Sequence, residues 1–140
     1  MNISDMLEEL EGRKACVYQD TLGFWTIGVG RLVDPRKPGA GLSDDEIDLM
    51  KANDIRAKTA EVRAALSWFD KLNAPRQAVL IGMAFQIGTD GLLAFKNTLA
   101  SVRDERWANA EAGMLASLWA KQTPERAARM ARQMLTGEWQ

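Results

Sequence analysis

The chain contains no histidine and a single cysteine, Cys16. Without an imidazole, Ser-His-Asp and Cys-His nucleophilic catalysis are both excluded. A lone cysteine forms no internal disulfide, so a stapled extracellular framework is excluded as well. Structural zinc sites draw on several Cys and His ligands, and here there is one candidate, so neither a metal nor a cofactor is expected. Cys16 reads as a small residue on a strand. No window approaches the roughly 18 apolar residues of a membrane span. The start, Met1-Asn2-Ile3-Ser4-Asp5-Met6-Leu7-Glu8-Glu9, lacks the basic region and apolar core of a signal peptide. The expectation is a soluble product made in the cytoplasm, with no stable membrane association and with its acid–base work done by carboxylates, Lys or Tyr.

What remains is an ordinary globular composition, 46% hydrophobic and 26% charged over 140 residues. A chain of this length buries roughly two-thirds of its unfolded surface and suggests one folded unit. No internal repeat or low-complexity tract is present. The net charge of −1 is unevenly spread. Residues 1–54 carry 11 acidic and 6 basic side chains, and residues 55–140 carry 8 and 12. That asymmetry suggests two lobes with different partners, or chance surface composition.

The spacing of Ile3, Met6, Leu7 and Leu10 predicts a helix over 3–11, capped by Asn2 or Ser4 and stopped by Gly12. Glu11 then lies in its last turn. Residues 15–18 and 24–29 are β-prone runs around an Asp20-Thr21-Leu22-Gly23 turn, with 31–33 a third strand. This small antiparallel sheet could not stand alone. Residues 34–42 read as a loop. Ser43 with Glu46 forms a capping box, opening a long, largely charged helix to about residue 65. Residues 75–87 are apolar on all sides, the pattern of a core helix broken by Gly88 and Gly91. Shorter helices are predicted over 96–104, 107–116 and 124–135, the last with Pro124 at its first position and Thr123 as cap. The fold class is α+β, mostly α: helix, small sheet, connecting helix, helical bundle. A cleft between a β-bearing lobe and a helical lobe suits an extended ligand.

Two acidic residues stand out by position. Glu11 marks the helix–sheet junction, and Asp20 marks the hairpin turn nine positions later. Glycoside hydrolysis needs a carboxylic acid to protonate the leaving oxygen and a second carboxylate to position water or attack the sugar. The acid must keep its proton near neutral pH, which calls for apolar or negative surroundings. Tyr18, Phe24 and Trp25 offer apolar surface nearby. The plainer alternative is a surface Glu at a helix end and an Asp that forms a turn.

The motifs Glu11-Gly12, Tyr18-x-Asp20-Thr21-x-Gly23, Thr26-Ile27-Gly28-x-Gly30, Phe85-Gln86-x-Gly88, Arg106-Trp107 and Gln122-Thr123-Pro124-x-Arg126-Ala127 occur in this order. In combination they make the chain resemble the lysozyme of T-even bacteriophages and its endolysin family, over essentially its whole length. The resemblance implies a two-lobed lysozyme fold in one domain, 1–140. Its N-terminal lobe would cover about 12–54, and its C-terminal helical lobe about 66–140 plus helix 3–11. It implies hydrolysis of the β-1,4 bond between N-acetylmuramic acid and N-acetylglucosamine, for host cell lysis. Glu11 matches the general acid, Asp20 the second carboxylate and Thr26 the hydroxyl beside it. The implied outcome is inverting, with Asp20 and Thr26 holding the attacking water.

The same resemblance implies sugar contacts at Leu32, Phe85 and Thr98. Gly113 stands where the family has Asn, and Leu118 where it has Arg, so polar contacts are lost at both. Arg31 replaces a family His whose partner carboxylate is retained as Asp54, which predicts an Arg31–Asp54 ion pair. The implied partners are peptidoglycan glycan strands and a separate holin-type pore. The enzyme is expected to be a monomer that stays in the host cytoplasm until lysis and binds no nucleic acid. Arg126, Arg129 and Arg132 form a basic row on the last helix, which either meets anionic wall polymers or is a solvated face. Two rival readings are a lytic transglycosylase, which can work without a water-holding Asp, and a non-catalytic wall-binding module. Gly28-x-Gly30 is no dinucleotide fingerprint, since the third glycine and the βαβ context are missing.

Overall fold

The structure, a computed structural model, describes residues 2–140. It bears out the α+β, mostly α class. The elements run α1 (Ile3–Glu11), β1 (Lys14–Gln19), β2 (Trp25–Gly28), β3 (Arg31–Leu32), α2 (Asp44–Ala65), α3 (Ala74–Leu93), α4 (Lys96–Arg103), α5 (Trp107–Leu115), α6 (Leu118–Gln122) and α7 (Pro124–Thr136). A single 3-10 turn, Phe69–Lys71, precedes α3. The chain divides into two compact units, the first ending at Lys51 and the second running Ala52–Gln140, so the division falls within α2. Helix α1 and the sheet fall in the first unit.

The first unit is built on hydrogen bonds more than on apolar burial. Asn2 caps α1 by accepting from Ser4 N and Asp5 N, and the Asp5 carboxylate accepts in return from Asn2 N. Gly12, at φ 75°, ends the helix and turns the chain into β1. The three strands pair antiparallel in the order β1-β2-β3. Tyr18 faces Thr26, and Thr26 in turn faces Leu32. Among the described residues of this unit, the buried side chains are both polar: Thr26 and Asp34. Ser43 caps α2 through Glu46 N, as its box predicts.

The second unit carries the hydrophobic core. Phe69, Leu80, Met83, Leu92, Met114 and Met134 are among its fully buried side chains. Burial of a residue of this size contributes roughly 1.5–3 kcal/mol. Asn73 caps α3 through Arg76 N, and Pro75 occupies its first turn. Gly88 (φ 77°, ψ 161°) kinks α3, yet the helix resumes to Leu93 instead of ending. Nor is α3 buried all round: Phe85 is 48% exposed.

The start of α3 is tied to the end of α7. Arg76 donates from Nε to Met134 O (2.9 Å) and from Nη2 to Leu135 O (3.0 Å), and its guanidinium stacks 3.7 Å from the Trp107 ring centre. Asn73 donates to Gly137 O and Gln133 to Pro75 O. The bonds to Met134 O, Leu135 O and Gly137 O satisfy carbonyls that the end of α7 leaves without partners. Thr123, expected to cap α7, makes no cap bond; its hydroxyl donates to Trp119 O. The position also ends α6, and the hydroxyl serves the earlier helix.

Candidate active site

Strand periodicity brings the first-unit candidates onto one face. Side chains alternate along a strand, and residues directly paired across strands share a face. Thr26 pairs with Tyr18 on one side and Leu32 on the other, so these three lie together. Asp20, two residues beyond Tyr18, continues the row into the turn.

The Asp20 turn is closed at both ends. Asp20 N donates to Phe24 O, and Gly23 N donates to Asp20 O, each at 2.9 Å. Oδ1 of the Asp20 side chain accepts from Leu22 N and Phe24 N, also at 2.9 Å. This is the Asx arrangement that makes Asp a turn former, and it pins one carboxylate oxygen. Oδ2 takes no hydrogen bond from the described residues. Thr26 is 5% exposed, and its hydroxyl donates to Phe24 O at 3.1 Å. Both Asp20 and Thr26 therefore hang on the backbone of Phe24.

Glu11 is the last residue of α1 and is exposed. Its side chain lies over the β2–β3 turn. A methyl group at Gly30 would stand 2.9 Å from Glu11 Oε2, 3.1 Å from Cδ and 3.2 Å from Cγ. Gly30 also holds φ 67°, a region that disfavours other L residues. The sequence offered Gly30 as part of a motif without assigning it a role. Its role is to let the carboxylate lie against backbone.

Asp34 is the other residue the sequence left unassigned, inside a presumed loop. It is fully buried. It accepts from Arg36 Nε (2.8 Å), from Arg36 Nη2, and from the main-chain N–H groups of Arg36 (3.0 Å) and Trp25 (3.1 Å). The Arg36 guanidinium, desolvation working against it, holds the Asp34 carboxyl far below the usual range; the two backbone donors act the same way. The ring of Phe24 meets Arg36 at 5.3 Å and the Lys37 ammonium at 4.2 Å. Two cations thus lie against the Phe24 ring.

Arg31 is held within the first unit. Its Nη1 donates to Glu46 at 2.7 Å and to Gly41 O at 3.3 Å. The partner within the first unit is Glu46; Asp54, which the resemblance suggested, belongs to the second unit. Glu46 already faces the sheet from its capping position, and its oxygens serve Ser43 and Arg31 together. Both side chains are well exposed, so the pair stabilises by no more than about 1 kcal/mol.

In the second unit, Thr98 and Gly113 meet on the wall of a depression of about 470 Å³, with Phe95 and Asn97. Thr98 is 8% exposed. Its Oγ1 lies 2.4 Å from where a Gly113 side chain would begin, so the threonine fills the space an Asn would take. Phe85 is presented from α3, beside Gln86, which accepts from Trp119 Nε1 at 2.9 Å. In the basic row, Arg126 and Arg129 line a separate depression of about 380 Å³ with Trp139, and Arg129 donates to Gln140 O. Leu118 is exposed on α6, and Cys16 is exposed on β1.

The chain as a whole has counterparts among known proteins. The family model described as phage lysozyme matches residues 8–133. The chain belongs to the phage lysozyme family. Among relatives, this lysozyme-family chain is 30% identical to probable T4-type lysozyme 1 of Dictyostelium discoideum, over 97% of this chain and 95% of that one. It is 28% identical to the pre-baseplate central spike protein Gp5 of Enterobacteria phage T4, over 98% of this chain and 28% of that one. It is 31% identical to peptidoglycan hydrolase gp36 of Pseudomonas phage phiKMV, over 91% of this chain and 14% of that one. The match to the Dictyostelium protein is end to end; the two phage proteins are much longer than this lysozyme-family chain.

Proposed function

We propose that this protein is a peptidoglycan hydrolase of muramidase specificity, cutting the β-1,4 bond between N-acetylmuramic acid and N-acetylglucosamine with inversion. The observation that carries the reading is the state of Asp20. One carboxylate oxygen is anchored by Leu22 N and Phe24 N, and the other is left to a ligand. The Thr26 hydroxyl spends its proton on Phe24 O, so its oxygen faces a ligand as an acceptor. An acceptor pair of this kind orients a water through both of its protons. Asp20 then takes a proton as that water adds to the anomeric carbon, while Glu11 gives its proton to the departing glycosidic oxygen. The family membership and the printed name of the phiKMV relative support peptidoglycan as the substrate. In a phage setting, the enzyme acts as a monomer in host lysis. It reaches the wall from the cytoplasm through a pore made by a separate holin-type protein.

The test is product analysis on purified peptidoglycan. New reducing ends at muramic acid, formed first as the α-anomer, are expected. Anhydro-sugar ends overturn hydrolysis in favour of a transglycosylase, and a β-anomer overturns inversion. Glu11→Gln and Asp20→Asn should each lose about 10²–10⁴-fold in kcat. Full clearing of outer-membrane-permeabilised cells by Glu11→Gln would remove Glu11 from the role of acid, and wall binding by wild type with no cleavage products would identify a binding module instead.

A further inference from the structure

We infer that Asp34 and Arg36 are positioning residues for the reaction: together they clamp the backbone of Phe24, from which Asp20 and the Thr26 hydroxyl are both suspended. The inference rests on the hydrolase reading above and concerns how that site is held.

Phe24 is the hub of the candidate site. Its N–H donates to Asp20 Oδ1, and its carbonyl accepts from Asp20 N and from Thr26 Oγ1. An unsupported hairpin turn would leave this hub loose, because a small sheet has little apolar surface to hold it. The first unit has no buried apolar side chain to substitute for that support among the described residues.

The clamp grips Phe24 on both sides. On the preceding side, Arg36 Nη2 donates to Gly23 O at 3.1 Å. On the following side, Asp34 Oδ2 accepts from Trp25 N at 3.1 Å. The jaws are joined to each other, since Asp34 receives the Arg36 guanidinium through Nε and Nη2. The planar fork of arginine makes such a two-point grip rigid, and lysine cannot copy it. Val33 N also donates to Trp25 O at 2.9 Å, which fixes Asp34 to the strand it supports. Arg36 completes the enclosure by lying over the Phe24 ring. Asp34 and Arg36 occur within a segment whose charges suggest only a solvated loop. Full burial of a carboxylate there requires a partner that returns more than solvation did.

The clamp acts on the geometry of Asp20 and Thr26 and touches no sugar. Its loss should therefore lower kcat and leave KM near its original value. A looser hub displaces the water-holding groups by a fraction of an ångström, which costs roughly 10- to 100-fold in rate.

The experiment compares wild type, Arg36→Gln and Arg36→Lys at a temperature where all are folded. It measures kcat and KM on soluble glycan-strand fragments, and amide hydrogen exchange at Leu22 and Phe24. Arg36→Gln is expected to lose about 10-fold or more in kcat at unchanged KM, with faster exchange at both amides. Arg36→Lys keeps the charge without the fork and should restore less than half of the loss. A merely stabilising role predicts a lower Tm with wild-type kcat and wild-type exchange, and that result overturns the clamp. So does a raised KM at unchanged kcat, which would make Arg36 a substrate contact. Wild type with no activity on any glycan sinks the hydrolase reading itself, whereas active wild type with unaffected Arg36→Gln sinks the clamp alone. Arg36 is mostly exposed, but Arg36→Gln strands the buried Asp34 carboxylate, so the double variant Asp34→Asn/Arg36→Gln, which removes that charge, is measured beside it and should show the same kcat loss and faster exchange.

Discussion

Gly30→Ala should separate catalysis from stability when it is paired with Gly28→Ala. The two glycines share a positive φ, 67° and 69°. An L residue there pays about 1–2 kcal/mol, partly offset by the 0.4–1 kcal/mol gained from a stiffer unfolded chain. Each variant should therefore lose about 1 kcal/mol and about 3–5 °C in Tm. Their surroundings differ. A methyl at Gly28 meets nothing within 4 Å, while one at Gly30 meets Glu11 Oε2 at 2.9 Å. Ordinary contact begins near 3.4 Å, and Cγ and Cδ are crowded too, so the whole Glu11 side chain must retreat by about half an ångström. At roughly 10²-fold per ångström of misplacement, that amounts to about ten-fold in rate. Turbidity clearing of permeabilised cells, with Tm measured on the same samples, gives both quantities. Equal activity losses in the two variants, or full activity in Gly30→Ala, would refute the reasoning that Gly30 exists to admit Glu11.

Other expectations follow the same contacts. Gly113→Ala drives a methyl into Thr98 Oγ1 and should destabilise by about 1–3 kcal/mol; Thr98→Ala in the same chain should restore most of it, read as coupling in a double-mutant cycle by urea denaturation. Glu105 holds φ 57° without being glycine, so Glu105→Gly should raise stability by up to about 1 kcal/mol in the same assay. Asp34 has a carboxyl depressed in the folded state, so its stabilisation is present above the unfolded value of about 4 and is lost as pH falls below it. Tm measured from pH 6 to pH 2 should fall more steeply for wild type than for Asp34→Asn.

The parts of the fold that could be read in advance carry local signals. The Ser43–Glu46 box and Pro75 and Pro124 mark helix starts whatever lies around them, and the Asp20 turn marks the hairpin. The short α6 was missed because five residues hold too little periodicity to register. Gly88 looked like a terminus because glycine commonly stands just past a helix end; here the helix resumes beyond the kink and buries Leu92. The site divides similarly. Glu11, Asp20 and Thr26 were legible through motif and position. Arg31 finding Glu46 was not, because fifteen residues separate them and the capping role had already accounted for that Glu. Asp34 was hidden by its setting, since a polar segment with two prolines gives no sign that one carboxylate is fully enclosed.

The bonds between the start of α3 and the end of α7 have a consequence for how the chain comes off the ribosome. α7 packs against α3, α5 and α6 and is synthesised after all three. Until it emerges, Arg76 and Asn73 have no carbonyls to serve, and the apolar sides of three helices lack their shared cover. Contacts spanning some 58 residues cannot be made early in translation. The helical unit is thus expected to complete its folding only once α7 has left the ribosome, and nascent chains stalled short of α7 should be substrates for chaperones and proteases. Pulse-chase protease resistance, appearing only once α7 is free of the ribosome, is the signature of that order.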